Sequence, residues 1–141
     1  MTPRRVLFVD DEPHILSGLR RMLRGKTDWE LTFADSAEQA LAQLATLPVD
    51  VVVSDMRMPG MDGGELLSHV RRLYPSTARL ILSGHADRED IIAAVGPTQQ
   101  FLSKPCDADT LVHAINRVLA VRDLVPDERL REILGDVEAL P

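Results

Sequence analysis

Five side chains hold most of the chemical potential of this sequence: the adjacent acids Asp10 and Asp11, then Asp55, Ser83 and Lys104 far along the chain. Three carboxylates in one pocket repel, and leaving them ionised without compensation is costly. A hard divalent cation resolves the conflict, and Mg²⁺ takes a few carboxylate oxygens while keeping waters for an incoming phosphate. Lys104 offers a compact positive charge to a phosphoryl oxygen. Asp55, alone before a loop, can act as a nucleophile and carry an aspartyl-phosphate. The hydroxyl of Ser83 is a donor for the arriving group. Metal and lysine together stabilise charge on a transferring phosphoryl group. Each residue taken singly has a plainer reading. Asp10, Asp11 and Asp107 suit helix caps, Ser83 a cap or turn, Lys104 a surface position and Pro105 the end of a strand. The chemistry needs a fold that gathers them.

The elements that must do so alternate along the chain. Val6-Leu7-Phe8-Val9, Val49-Asp50-Val51-Val52-Val53 and Leu80-Ile81-Leu82 are short apolar runs, each stopped by polar residues. Trp29 to Phe33 alternates like a half-buried strand, and Phe101-Leu102 is a weak fifth. Between them lie helical patterns: Ile15 to Leu23 with Pro13 in the first turn, Ala37 to Leu44 capped by Ser36, Leu66 to Leu73, Ile91 to Val95, and Leu111 to Leu119. Five strand-then-helix repeats predict an α/β fold, a parallel sheet with helices on both faces. Unbroken apolar strands belong in the centre and the two weaker ones at the edges, which gives the flavodoxin-like order 2-1-3-4-5. In such a sheet ligands sit beyond the carboxyl ends of the strands, near the point where the order reverses. The strands end on Asp10-Asp11, Asp55, Ser83-Gly84 and Lys104, so the five residues converge.

The chain has 141 residues, 45% apolar and 27% charged, with a net charge of −6, enough for one domain with a real core. No apolar run approaches the ~18 residues of a spanning helix, and no secretory h-region opens the chain. The single cysteine, Cys106, makes neither an internal disulfide nor a zinc cluster. A cytoplasmic protein is expected, with no membrane contact. The basic clusters Arg4-Arg5 and Arg20-Arg21-Arg24-Lys26 lack interleaved aromatics and read as solvated faces, not as a nucleic-acid surface. His14, His69 and His113 have no metal-ligand spacing, and Met56, Met58 and Met61 suit a packing loop. After Pro126 the composition changes. Residues 127–141 place Leu130, Ile133, Leu134 and Val137 at helical spacing among five acidic and two basic side chains. Residues 1–124 are therefore read as one domain, and 125–141 as a helical extension or a linker to an output domain.

Four segments carry a resemblance: Leu7-Phe8-Val9-Asp10-Asp11-Glu12-Pro13, Ser54 to Gly63 (Ser-Asp-Met-Arg-Met-Pro-Gly-Met-Asp-Gly), Leu82-Ser83-Gly84-His85 and Phe101-Leu102-Ser103-Lys104-Pro105. Over residues 4 to about 123 the chain resembles response-regulator receiver domains of two-component signalling. The resemblance implies that Asp55 accepts phosphate from the phosphohistidine of a sensor histidine kinase or phosphotransfer protein. It implies that Asp11, Asp55 and the main-chain carbonyl of Arg57 coordinate Mg²⁺, with Asp10 acting mostly through water. Lys104 would contact the phosphate, Ser83 would close on it, and Phe101 would turn inward on activation. The Lys104–Pro105 bond is expected to be cis. Residues 94–107 also resemble receivers fused to HD-type output domains. Glu12 lengthens the acidic cluster, and Arg57 and His85 would flank the pocket mouth.

Phosphorylation adds up to about two negative charges, which would draw in Ser83 and Lys104 and free space for Phe101. A partner would then read the fourth helix, fifth strand and fifth helix, a face that also suits a homodimer. The expected protein is a regulatory domain that catalyses only its own phosphorylation and dephosphorylation. Two other readings compete: an interaction module that works without phosphorylation, and a haloacid-dehalogenase-type phosphohydrolase with Asp10 as nucleophile. A nucleotide-binding domain is disfavoured, since no glycine-rich phosphate loop follows the first strand.

Overall fold

The structure is a computed structural model that describes residues 3–84, 100–104 and 106–124. The helix expected over Ile91 to Val95, His85, the Lys104–Pro105 bond and residues 125–141 lie outside the described residues. Among the described residues nine elements follow one another: β1 (Arg5–Val9), α1 (Pro13–Leu23), β2 (Glu30–Ala34), α2 (Ala37–Leu44), β3 (Val51–Ser54), α3 (Gly63–Leu73), β4 (Ala78–Ser83), β5 (Gln100–Ser103) and α4 (Ala108–Asp123). All four strand pairings are parallel, in the order β2-β1-β3-β4-β5. The expected topology is the one found.

Local chemistry sets the helix boundaries. Pro13 occupies the start of α1, where a missing N–H costs nothing, and Gly25 follows the helix at φ +74°, a conformation that glycine adopts freely. Ser36, Asp62 and Asp107 each accept a hydrogen bond from the main-chain N–H three residues on, capping α2, α3 and α4.

The sheet separates two apolar layers. Leu7, Val9, Val52 and Ile81 face α2 and α3, where Ala40, Leu44, Leu66, Leu67 and Val70 cover them. Val6, Phe8, Val51, Val53 and Leu80 face α1 and α4, under Leu19, Leu23, Leu111, Ile115 and Val118. Each fully buried Leu or Val contributes about 1.5–3 kcal/mol relative to exposure, so these layers carry the fold. At the edge, Phe33 of β2 stacks on Phe8 at 5.8 Å, and the Arg20 guanidinium lies 4.5 Å above the Phe33 ring.

Strand β4 begins at Ala78, two residues before the apolar run that marks it in the sequence. The extra residue that hid it is Arg79, only 1% exposed, whose guanidinium donates to the Thr77 carbonyl at 3.0 Å.

The end of the sheet where the strands begin is tied together by Asp50. Its Oδ2 accepts from the Arg5 N–H at 2.7 Å, and its Oδ1 accepts from Arg122 Nη1 of α4 at 2.9 Å. Its carbonyl accepts from Ala78 N at 2.9 Å. Asp50→Ala leaves the Arg5 strand N–H without its acceptor and takes from Arg122 its shortest carboxylate contact, leaving the guanidinium on Asp123 and the residue-50 carbonyl. We expect a loss of about 2–3 kcal/mol, read as a lower urea midpoint at unchanged slope. A midpoint equal to that of the wild type would show that water replaces the carboxylate.

Candidate functional site

The end of the sheet where the strands finish gathers the reactive side chains. β1 stops at Val9, and the next residue, Asp10, is held by its N–H to the Ala34 carbonyl at 3.1 Å. Its carboxylate is 3% exposed. One oxygen accepts from the Glu12 N–H at 2.9 Å, the other from Lys104 Nζ at 2.7 Å. β3 stops at Ser54, and Asp55 is anchored by its N–H to the Val9 carbonyl at 2.9 Å. One Asp55 carboxylate oxygen accepts from Met56 N at 2.9 Å and lies 3.8 Å from Lys104 Nζ. The buried Ser83 hydroxyl, at the end of β4, also donates to this carboxylate. Lys104 is placed by its own N–H, which donates to the Ser83 carbonyl at 3.0 Å.

Carboxylate oxygens of Asp10, Asp11 and Asp55 all lie within 4.8 Å of one another, and Asp11 is partly exposed. Three hard oxygen donors, with one side toward solvent, fit a divalent cation that keeps waters. Burial pushes the Asp55 carboxyl above the ordinary carboxylate range. The Lys104 charge opposes that shift, Asp10 adds to it, and the Ser83 and Met56 hydrogen bonds oppose it. Asp55 is thus a carboxylate stripped of much of its water, held beside one cation and one hydroxyl.

The remaining expected residues fall around this centre. Phe101 pairs with Ile81 across the sheet and is half-buried against the α2–α3 layer. Arg57 is exposed on the loop after Asp55. Glu12 precedes α1 with its side chain exposed, outside the three-carboxylate group. Met56 and Met58 are buried in the core, as a packing loop requires. His14, His69 and His113 belong to no metal-holding group among the described residues.

Sequence reasoning missed one residue. A Cβ on Gly63 would lie 2.0 Å from the Asp55 carbonyl oxygen and 3.0 Å from Met56 Cα, and the Gly63 N–H donates to the Met56 carbonyl at 2.8 Å. The start of α3 therefore rests directly on the Asp55–Met56 backbone. The capping aspartate followed by two glycines, Asp62-Gly63-Gly64, was the available signal.

The family model of the response regulator receiver domain matches residues 6–116. The chain belongs to that family. It is 37% identical over 124 residues to the hydrogenase transcriptional regulatory protein HoxA of Cupriavidus necator, covering 86% of this chain and 25% of that protein. It is 37% identical over 138 residues to the transcriptional regulatory protein GlrR of Escherichia coli, covering 94% of this chain and 30% of the relative. This receiver domain thus spans about a quarter to a third of those relatives. Among solved structures it resembles the signal receiver domain of an HD domain-containing protein from Pseudomonas fluorescens. There the TM-score is 0.83 at 35% identity, covering 88% of this chain and 100% of that one. The Asp10–Asp11–Asp55 group, with Ser83 and Lys104 beside it, lies within the matched span. Among the described residues no helix is long and apolar enough to cross a membrane.

Proposed function

We propose that Asp55 is the phosphoacceptor of this receiver and that the pocket around it catalyses the transfer. The observation that supports this is the placement of its carboxylate between the Lys104 ammonium at 3.8 Å and the Ser83 hydroxyl, within 4.8 Å of Asp10 and Asp11 oxygens. A carboxylate oxygen of Asp55 attacks phosphorus, the phosphorus–nitrogen bond of a partner's phosphohistidine breaks, and its electron pair returns to the imidazole. Lys104 and Ser83 face the oxygens that gain charge. Asp11, Asp55 and the Arg57 carbonyl would hold Mg²⁺, with Asp10 one water removed, and the bound cation would neutralise phosphoryl oxygens. Before transfer, Lys104 neutralises Asp10 at 2.7 Å.

Hydrolysis of the acyl phosphate regenerates the Asp55 carboxylate, so the domain is a switch that turns over its own phosphate. Ser83 and Lys104 move toward the new acyl phosphate, and Phe101 follows into the space Ser83 leaves. The face carrying β5 and α4 then changes for a partner, an output domain or a second copy of the domain. The receiver takes its phosphate from a sensor histidine kinase or phosphotransfer protein and works in the cytoplasm. Residues 1–124 form the receiver, and 125–141 are a helical extension or a linker to an output domain.

Intact mass after incubation with Mg²⁺ and acetyl phosphate tests the assignment. One phosphoryl increment is expected, absent with chelator and in Asp55→Asn. An adduct that survives Asp55→Asn and disappears only in Asp10→Asn would move the nucleophile to β1, as in a phosphohydrolase. No adduct together with no fluoroberyllate binding would leave a phosphorylation-independent interaction module.

A further inference from the structure

Strand β3 runs through three valines, Val51, Val52 and Val53, and ends on a serine. Ser54 is 0% exposed, and by strand alternation it shares with Val52 the face that α2 and α3 cover. A hydroxyl in such a place costs free energy unless it is hydrogen-bonded, and a fourth valine would suit the strand better. The bond it makes is to the site: Ser54 Oγ donates to the Asp55 carbonyl at 2.8 Å.

That carbonyl lies past the sheet. The β3–β4 register ends with Ser54 opposite Ile81, so the Asp55–Met56 peptide stands beyond the ladder. A peptide unit is planar and its C=O and N–H ends point in opposite directions, so fixing one end aims the other. The N–H end belongs to Met56 and donates to Asp55 Oδ1 at 2.9 Å. The same Oδ1 lies 3.8 Å from Lys104 Nζ. Contacts thus run from a buried hydroxyl, through one rigid peptide, to the oxygen that sets the rotation of the Asp55 carboxylate.

We propose that Ser54 is a positioning residue for phosphoryl transfer, a role that rests on Asp55 as the acceptor. Its hydroxyl aims the Met56 N–H at Oδ1, and the carboxylate locked in this way presents its other oxygen to the incoming phosphorus in one direction. Being fully buried, Ser54 touches no phosphodonor and acts only through the peptide that follows it.

The rate of adduct formation, followed by intact mass over a range of acetyl phosphate concentrations with Mg²⁺, tests this. In Ser54→Ala the limiting rate should fall about tenfold, less than the roughly 10²-fold cost of a 1 Å displacement, because only the direction of an oxygen is loosened. The acetyl phosphate concentration that gives half the limiting rate should not change. Ser54→Thr and Ser54→Val have the same shape and differ in the hydroxyl, so the threonine variant should react about tenfold faster than the valine variant whatever the added methyl costs. Hydrogen exchange of the Met56 amide should rise about tenfold in Ser54→Ala, which reads the loosened peptide without any phosphate. Equal limiting rates in the wild type and Ser54→Ala, or in the threonine and valine variants, would overturn the role of Ser54 alone. A wild type that forms no adduct would overturn the acceptor assignment, and the role of Ser54 in transfer with it.

Discussion

A single methyl group at position 63 is expected to cost this receiver both stability and phosphoacceptance. In Gly63→Ala the new carbon starts 2.0 Å from the Asp55 carbonyl oxygen and 2.9 Å from its carbonyl carbon. Both neighbours are backbone, so no rotamer change relieves the clash. Either α3 moves off the sheet, breaking the 2.8 Å bond from Gly63 N to the Met56 carbonyl, or the Asp55 loop is pushed toward Lys104. Overpacking of a tight site costs about 1–3 kcal/mol, and a clash with fixed backbone belongs at the upper end. For a domain of this size that is a fall in Tm of about 10 °C. Adduct formation should fall further than stability does, because a displacement of the order of 1 Å at a reacting centre costs about 10²-fold. Gly18→Ala is the control. That glycine lies inside α1, and a Cβ added there would meet nothing within 4 Å, so a gain of about 0.5–1 kcal/mol is expected. Thermal melts and adduct rates of the two variants check this, and a Gly63→Ala protein that melts and reacts like the wild type would mean that α3 does not set the Asp55 loop.

The contrast between Gly63 and the charged residues shows what the sequence makes legible. Strand order followed from apolar continuity, because central parallel strands are covered on both faces and the edge strands β2 and β5 are not. The convergence of Asp10, Asp11, Asp55, Ser83 and Lys104 followed in turn, since each stands at the end of a strand. The signal at Gly63, a capping aspartate before two glycines, was faint for a physical reason: its role is the absence of a side chain where two backbones meet, and a glycine at a helix start looks like many others. Arg79 misled in the opposite way. A charged residue breaks an apolar run in the sequence, yet its stem is buried in β4 and its head bonds to the Thr77 carbonyl, so the strand starts two residues earlier than the pattern indicates.

The internal pairing of the pocket was also hidden, because convergence alone does not say which acid the lysine holds. Lys104 Nζ is 2.7 Å from Asp10 and 3.8 Å from Asp55, so its primary bond goes to the most buried carboxylate. Lys104 thereby neutralises the acid that has least access to water, and its weaker contact points toward Asp55, the proposed acceptor.

Lys104→Met is therefore expected to damage the metal-free domain in a pH-dependent way. The substitution keeps the stem length and removes the charge, leaving Asp10 buried beside Asp11 and Asp55 with one N–H bond from Glu12. Removing one partner of a buried pair costs about 3–5 kcal/mol. For Asp55 the sign follows from its environment: burial and Asp10 raise its pKa, and Lys104 opposes them, so the variant's Asp55 titrates higher still. An acid whose folded pKa is raised contributes stability below its unfolded pKa and loses it as pH rises through the folded value. The urea midpoint of Lys104→Met should thus lie furthest below the wild type near pH 7 and approach it as pH falls toward the ordinary carboxylate range. Mg²⁺ should restore much of the midpoint at pH 7, since a cation in the Asp10–Asp11–Asp55 group replaces the missing charge. The adduct rate should stay low even then, because the ammonium that faces the phosphoryl oxygens is still missing. Equal destabilisation at both ends of the pH range, with no response to Mg²⁺, would show that Lys104 acts through packing and not through its charge on Asp10 and Asp55.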